Sequence, residues 1–324
     1  MQTATLGRTG LTVSRIVYGT WQVSGEWGSY DRDDAIAAIR HAHDLGCTFF
    51  DTAQAYGFGE SEKVLGDALR SQLRNDRDGV VIATKGGINP GSDRPRDGRR
   101  DWLRKGVHDS LEALGIDHVD LYQVHWPDTD HPFEDTAGYL QELVDEGKIR
   151  HVGVSNYSAE QMAAFERTRP VETLQPPYHL FRRHIEDDEL PYVREHGIGT
   201  LAYSSLGSGL LTGAMSPDEA FEDDDWRSQA SAFAGEKLEK NLAVVEKLKE
   251  MASDKGIHVT QLAIAWVLAQ DGMDTAIVGA RSKDHIETSL GAADVTLTDD
   301  ELAEIERITA DRIEIGGASP EGVD

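Results

Sequence analysis

Eight short apolar runs, each ending in a polar or small residue and separated by helical patterns, recur along the 324 residues of this chain. This alternation restricts the fold more than any other feature. The runs lie at 16–18, 48–50, 80–84, 119–124, 149–154, 171–174, 200–202 and 276–278. They are rich in β-branched and aromatic residues, as buried parallel strands require. Between them stand amphipathic stretches at 31–45, 61–69, 101–114, 133–146, 158–167 and 187–195, several stopped by a glycine such as Gly46, Gly115, Gly147 or Gly197. Asp31 and Ser61 read as helix caps, with Glu62 and Lys63 on the wet side of the helix that Ser61 opens. Strands separated by helices imply a parallel sheet, and eight such units fit an eight-stranded (β/α)8 TIM barrel better than an open doubly wound sheet. Residues 1–324 are therefore expected to form a single barrel domain.

Three additions decorate this plan. Residues 5–6 and 11–13 flank Gly7-Arg8-Thr9-Gly10, an N-terminal β-hairpin signal that would close one end of the core. A polar insertion at 216–235 is too long and charged for an ordinary strand-to-helix loop; functional lids and disordered segments both have this character. Helices are expected at 236–255 and 260–269, with additional C-terminal helices at 283–292 and 299–307 after the last strand. The Gly- and acid-rich final dozen residues are expected to fray.

The net charge of -26, from 58 acidic against 32 basic residues, argues against nucleic acid or an anionic membrane as partner. A local basic pocket can still hold one coenzyme, because distant charges are screened beyond roughly 8 to 10 Å. Only 10 of the basic residues are lysine, and the acid runs at 186–189 and 222–225 read as solvated surface, a hint of a salt-rich, halophilic home. Residues 1–10 lack an apolar signal segment and no 18 apolar residues run together, so the chain reads as cytoplasmic. Its single cysteine, Cys47, cannot form an internal disulfide and reads as a packed thiol.

Chemistry in such barrels gathers where strands end at the carboxyl-terminal rim. Here successive strands exit into Asp51, Lys85, His125, Ser155-Asn156, Gln175, Tyr203 and Gly279-Ala280-Arg281, with Tyr56 five residues beyond Asp51. One polar exit is ordinary turn chemistry; a nearly unbroken ring on apolar strands is not. Asp51 and Tyr56 within Asp-Thr-Ala-Gln-Ala-Tyr-Gly, Lys85 after Val-Val-Ile-Ala-Thr, and His125 in Val-His-Trp resemble the catalytic tetrad of the aldo-keto reductases. The resemblance spans nearly the whole chain. It includes Gly19-Thr20-Trp21, the segment from Gly153 to Asn156, Gln175, Tyr203-Ser204-Ser205-Leu206-Gly207-Ser208-Gly209 and Gly279-Ala280-Arg281-Ser282, in family order.

What these residues can do follows from general chemistry. Reducing a carbonyl needs a hydride donor, a proton for the emerging alkoxide and a polar grip on the oxygen. Tyr56 is the natural acid, but an ordinary phenol with a pKa of about 10 is a slow partner near neutrality. A nearby Lys85 ammonium would favour phenolate, and Asp51 would hold that ammonium charged. His125 can orient the carbonyl oxygen or assist the proton relay at low pH.

The resemblance implies further roles. Ser155, Asn156 and Gln175 would bind a nicotinamide carboxamide, and Tyr203 would stack on its ring. The segment holding Ser204, Leu206, Gly207 and Ser208 would lie along a pyrophosphate; its glycines do not match a Rossmann phosphate loop, since the third falls one place late. Arg281 and Ser282, before a helix, would meet the adenosine phosphate, favouring NADPH, with NADH possible. His285, Thr288 and Ser289 align where relatives often carry Arg, Glu and Asn, which puts adenine contacts in doubt.

Trp21, Trp27, Phe58 and Trp126 are candidates for an apolar substrate pocket above Tyr56. No metal site is expected: His41 and His43 face different ways on a helix, and His179 and His184 lack partners at zinc spacing. The expected partner is thus a small carbonyl compound, reduced to its alcohol. Two alternatives are a sugar or polyol dehydrogenase with the same tetrad, and a slow coenzyme-binding regulatory subunit.

The charge excess leads to a first prediction. Melting temperature should rise with potassium chloride up to about 1 M, where the Debye length falls to roughly 3 Å and self-repulsion is screened. A flat or falling curve defeats the halophilic reading.

Overall fold

Parallel strands cannot be joined by tight turns, so each must be followed by a crossover, and the chain supplies these in order. The computed structural model describes residues 1–25, 27–219, 221–222, 225–280, 282–319 and 322–323. An antiparallel hairpin comes first, β1 (Thr3–Thr5) with β2 (Thr12–Ser14). Then β3 (Ile16–Gly19) leads to α1 (Arg32–Asp44), and β4 (Phe49–Asp51) to α2 (Glu60–Ala68) and α3 (Arg70–Asn75). β5 (Val81–Gly86) leads to α4 (Arg100–Leu114), β6 (Val119–Val124) to α5 (Phe133–Asp145), and β7 (Ile149–Ser155) to α6 (Ala159–Phe165). β8 (Thr173–Gln175) is followed by α7 (Glu189–His196), β9 (Gly199–Ala202) by α8 (Gly235–Asp254) and α9 (Val259–Ala269), and β10 (Thr275–Gly279) by α10 (Lys283–Leu290) and α11 (Asp299–Ile308). Each barrel strand pairs in parallel with the next and β10 returns to β3, closing an eight-stranded (β/α)8 barrel.

Side chains alternate between the two faces of each strand, which builds two separate cores. Val17, Phe49, Val81, Ala83, Leu121, Leu201 and Ile277 fill the interior, while Leu6 and Val13 of the hairpin pack beneath them as a floor. Tyr18, Phe50, Ile82 and Tyr122 point outward into the layer covered by the helices. The interior is tight. A Cβ on Gly153 would stand 2.0 Å from Thr173 Oγ1 and 3.1 Å from Gln123 Cγ, so this layer admits only hydrogen there.

The helix starts show where local reading holds and where it does not. Asp31 caps α1 as expected, accepting the Asp34 N–H at 3.0 Å. Ser61 does not cap α2. Gly57 and Gly59, both with left-handed backbone, turn the chain sharply after β4, so Gly59 is the cap and the helix starts earlier. Ser61 lies inside the first turn and donates to the Thr20 carbonyl at 2.8 Å. Glu62, expected on the wet side, is fully buried: it shares an i, i+3, i+7 row with Leu65 and Leu69 that faces the barrel.

Within the insertion, residues 226–229 and 231–233 form two short 3-10 turns, while residues 220, 223 and 224 fall outside the described set. At the C-terminus, Ala318–Ser319 pairs with Gly322–Val323. Among the described residues no helix is long and apolar enough to cross a membrane.

Candidate active site

Barrel closure brings Asp51 and Lys85 into one buried pair at the carboxyl-terminal rim. Asp51 ends β4, and Lys85 lies two residues beyond Ala83, the partner of Asp51 in the ladder. The Lys85 ammonium, with no exposed surface, donates to Asp51 Oδ2 at 2.6 Å, to the Thr52 carbonyl at 2.8 Å and to Tyr56 Oη at 3.4 Å. Gln175 Nε2 occupies the other carboxylate oxygen at 2.9 Å. Burial pushes the carboxyl up and the ammonium down from their ordinary values, and their short contact opposes both shifts.

Tyr56 stands on the turn after β4, half-buried, with its ring stacked on Trp21 at 5.9 Å and meeting His125 edge-on at 5.6 Å. That frame fixes the phenol over the ammonium. Burial, then the nearby Lys85 charge, hold the His125 imidazole well below its ordinary pKa, so it is neutral near pH 7. A neutral imidazole can donate one N–H to a substrate oxygen without competing for the charge on Lys85.

A polar chain continues around the rim. Ser155 Oγ donates to the Gln175 carbonyl at 2.8 Å, Asn156 Nδ2 donates to the His125 carbonyl at 3.0 Å, and Tyr203 Oη donates to Asn156 Oδ1 at 2.9 Å. Burial pushes the Tyr203 phenol up to about 12, so it stays a neutral donor. Four non-glycine residues described here have left-handed backbone, Phe58, Asn156, Ser204 and Ser208, and all four lie on rim loops. Strained backbone of this kind collects at binding sites.

A cavity of about 470 Å³ opens above these residues. Gly19, Thr20, Trp21, Trp27, Asp51 and Tyr56 line one side, and Gln175, Tyr203, Ser204, Leu206 and Ser208 another. Gly279, Ala280 and His285 extend it toward α10. Other candidates stand apart from its lining. Phe58 is 58% exposed, Trp126 lies under the Arg96 guanidinium at 4.9 Å, and Gly207 and Ser289 are buried. Ser282 spends its hydroxyl capping α10 through the His285 N–H. Arg281 lies outside the described residues.

Sequence reasoning missed Arg227 and Gln22, which also line the cavity. Arg227, from the insertion, is paired with Asp225 at 2.6 Å, donates to the Ser208 carbonyl at 3.1 Å and lies over the Trp27 ring at 5.0 Å. The signal available was an arginine directly after Trp226, with Phe221 shortly upstream, in an otherwise acidic stretch.

The profile of the Aldo/keto reductase family matches residues 15–310. The chain is 40% identical over 316 residues to aldo-keto reductase YhdN of Bacillus subtilis, covering 97% of this chain and 95% of that protein. It is 34% identical over 313 residues to aldo-keto reductase yakc [NADP(+)] of Schizosaccharomyces pombe, covering 95% and 91%. Among solved structures, that of glycerol dehydrogenase AKR11B4 from Gluconobacter oxydans matches with a TM-score of 0.84 at 39% identity, covering 93% of this chain and 92% of that one.

The buried pair carries its own prediction. Lys85→Met leaves Asp51 buried without its cation and should cost about 3–5 kcal/mol at neutral pH in urea unfolding. Adding Asp51→Asn removes the stranded charge, and the double variant should recover most of the loss. A double variant no more stable than Lys85→Met would show that packing, not charge, sets the cost.

Proposed function

The chain belongs to the aldo/keto reductase family of oxidoreductases, and we propose that it reduces an aldehyde or ketone to the alcohol with NADPH, Tyr56 donating the proton. The observation that carries this reading is Lys85 Nζ lying between Asp51 and Tyr56 at the base of the cavity, at 2.6 and 3.4 Å. An ammonium at that position stabilises the phenolate left after proton transfer. His125 holds the carbonyl oxygen beside the phenol, and Trp21 and Trp27 offer an apolar wall for the rest of the substrate.

The cavity suits a dinucleotide. The Tyr203 ring and the Gln175 side chain line it and match a flat amide-bearing ring, with Ser155 and Asn156 behind them bonded to the Gln175 carbonyl and the Tyr203 hydroxyl. Left-handed residues at Ser204 and Ser208 turn backbone amides in a way that suits phosphate oxygens. When bound, the coenzyme supplies the hydride. Every other task falls to the chain: Asp51 orients Lys85, Lys85 tunes Tyr56, and Tyr56 passes its proton to the oxygen.

A second reading runs the same site in reverse, oxidising a polyol. The solved neighbour titled glycerol dehydrogenase favours it. Rates measured in both directions, with a panel of carbonyls and polyols against NADPH and NADH, separate the two.

Tyr56→Phe should abolish reduction while fluorescence titration still shows coenzyme binding, because only the proton donor is lost. A variant keeping more than about a tenth of the wild-type rate would remove Tyr56 from the mechanism.

Coenzyme choice is assigned to Arg281. A 2′-phosphate dianion in a chain of net charge -26 needs a local cation. Arg281→Ala should weaken NADPH by about 10- to 100-fold and leave NADH nearly unchanged. Equal losses for both coenzymes would make Arg281 structural.

A further inference from the structure

Behind the Asp51–Lys85 pair, on the outer face of the same strand, lies a second buried carboxyl that the chemistry above leaves unused. Glu62 projects from α2 with no exposed surface. Its Oε1 accepts the Thr84 hydroxyl at 2.6 Å, and the buried Ser110 hydroxyl of α4 stands within reach of the same carboxyl. Thr84 precedes Lys85 in β5, so carboxyl and ammonium face each other across one strand.

Burying a carboxyl is costly, and one with no exposed surface whose hydrogen-bonding neighbours are neutral hydroxyls calls for a reason. Packing gives none, since a leucine would continue the row of Leu65 and Leu69. We infer that Glu62 is a positioning residue for the reaction at Tyr56: together with Asp51 it brackets Lys85 and sets the charge that the phenol meets.

The charged and titratable neighbours come from three elements. Lys85 of β5 attracts the carboxyl, and Asp109 of α4 repels it while being tied to Lys105 at 2.5 Å and Gln54 at 3.2 Å. Tyr122 of β6 adds a buried phenol that its surroundings keep neutral. Burial is the largest influence and holds Glu62 above the ordinary carboxylate range, so it becomes an anion at higher pH than a surface glutamate does. As an anion it raises the hold of Lys85 on its proton and opposes a second negative charge on Tyr56. The phenol then keeps the proton that reduction consumes further into the alkaline range. Without the anion, Lys85 and Tyr56 both deprotonate at lower pH.

Glu62→Gln tests this, since it keeps the size of the side chain and its contact with Thr84. The alkaline limb of kcat for reduction should move down by about half a pH unit or more, with matching rates on the acid side. Thr84→Val removes a donor to the carboxylate and delays its ionisation, so it should move the limb the same way by less; it carries the test if Glu62→Gln fails to fold.

The kinetic readout rests on the reductase reading, so a second one avoids turnover. Tyrosinate absorbance of each chain minus that of its Tyr56→Phe counterpart reports the Tyr56 titration directly. A shifted titration in a chain inactive on every carbonyl overturns the reductase reading and upholds the role of Glu62. A limb and titration unmoved in both variants, whatever the change in Tm or in pH-independent rate, overturn the inference.

Discussion

Closure of the parallel sheet is the constraint on which the rest of the molecule depends. Once β10 pairs with β3, no strand can slide without breaking ladders on both of its sides, and the level of every inward side chain is set. Asp51 stands opposite Ala83 in that register, and Lys85, one layer higher on the same inner face, folds its ammonium back onto the carboxylate. A slip of one residue in β5 would turn Lys85 out toward the helices and bring Thr84 or Gly86 inside. Gly86 is itself constrained, because a Cβ there would stand 1.9 Å from the Tyr122 hydroxyl in the outer layer. The ion pair is thus a product of register as much as of attraction.

Much of this was legible in the sequence because strand order and strand exits are local signals. The eight apolar runs became β3 to β10, and Asp51, Lys85, Gln175 and Tyr203 do gather at one rim. The misreadings share a physical cause. Glu62 reads as wet because it is charged, although its spacing to Leu65 and Leu69 places it on the buried row. Ser61 looked like a cap because hydroxyls cap helices, but two left-handed glycines moved the start and left its hydroxyl to hold Thr20. Phe58 and Trp126 fall outside the lining of the cavity, because where they stand is set by the conformation of rim loops, which no periodicity encodes. Arg227 arrives from an insertion whose path across the rim depends on contacts with Trp27 and Ser208, far away in sequence.

Outside the barrel, arginine does what packing does within. Of the 32 basic residues, 22 are arginine, and several tie the outer elements together: Arg100 and Arg104 reach from α4 to Glu142 and Glu146, Arg32 on α1 reaches Asp67 on α2, and Arg183, between β8 and α7, reaches Glu306 on α11. Exposed pairs of this kind contribute roughly 0.2–1 kcal/mol each, so their value lies in holding a ring of helices in order around the barrel. Salt weakens these pairs and the repulsion among unpaired acids alike. With 58 acids against 32 bases, the repulsion is the larger quantity to be screened.

The hairpin floor has a consequence for traffic. Leu6, Val13 and the inward layer above them seal one end of the barrel, so the cavity is a blind-ended well. Anything the cavity holds must therefore enter and leave on the side that carries Trp21, Tyr56 and Tyr203, and no path leads through the barrel.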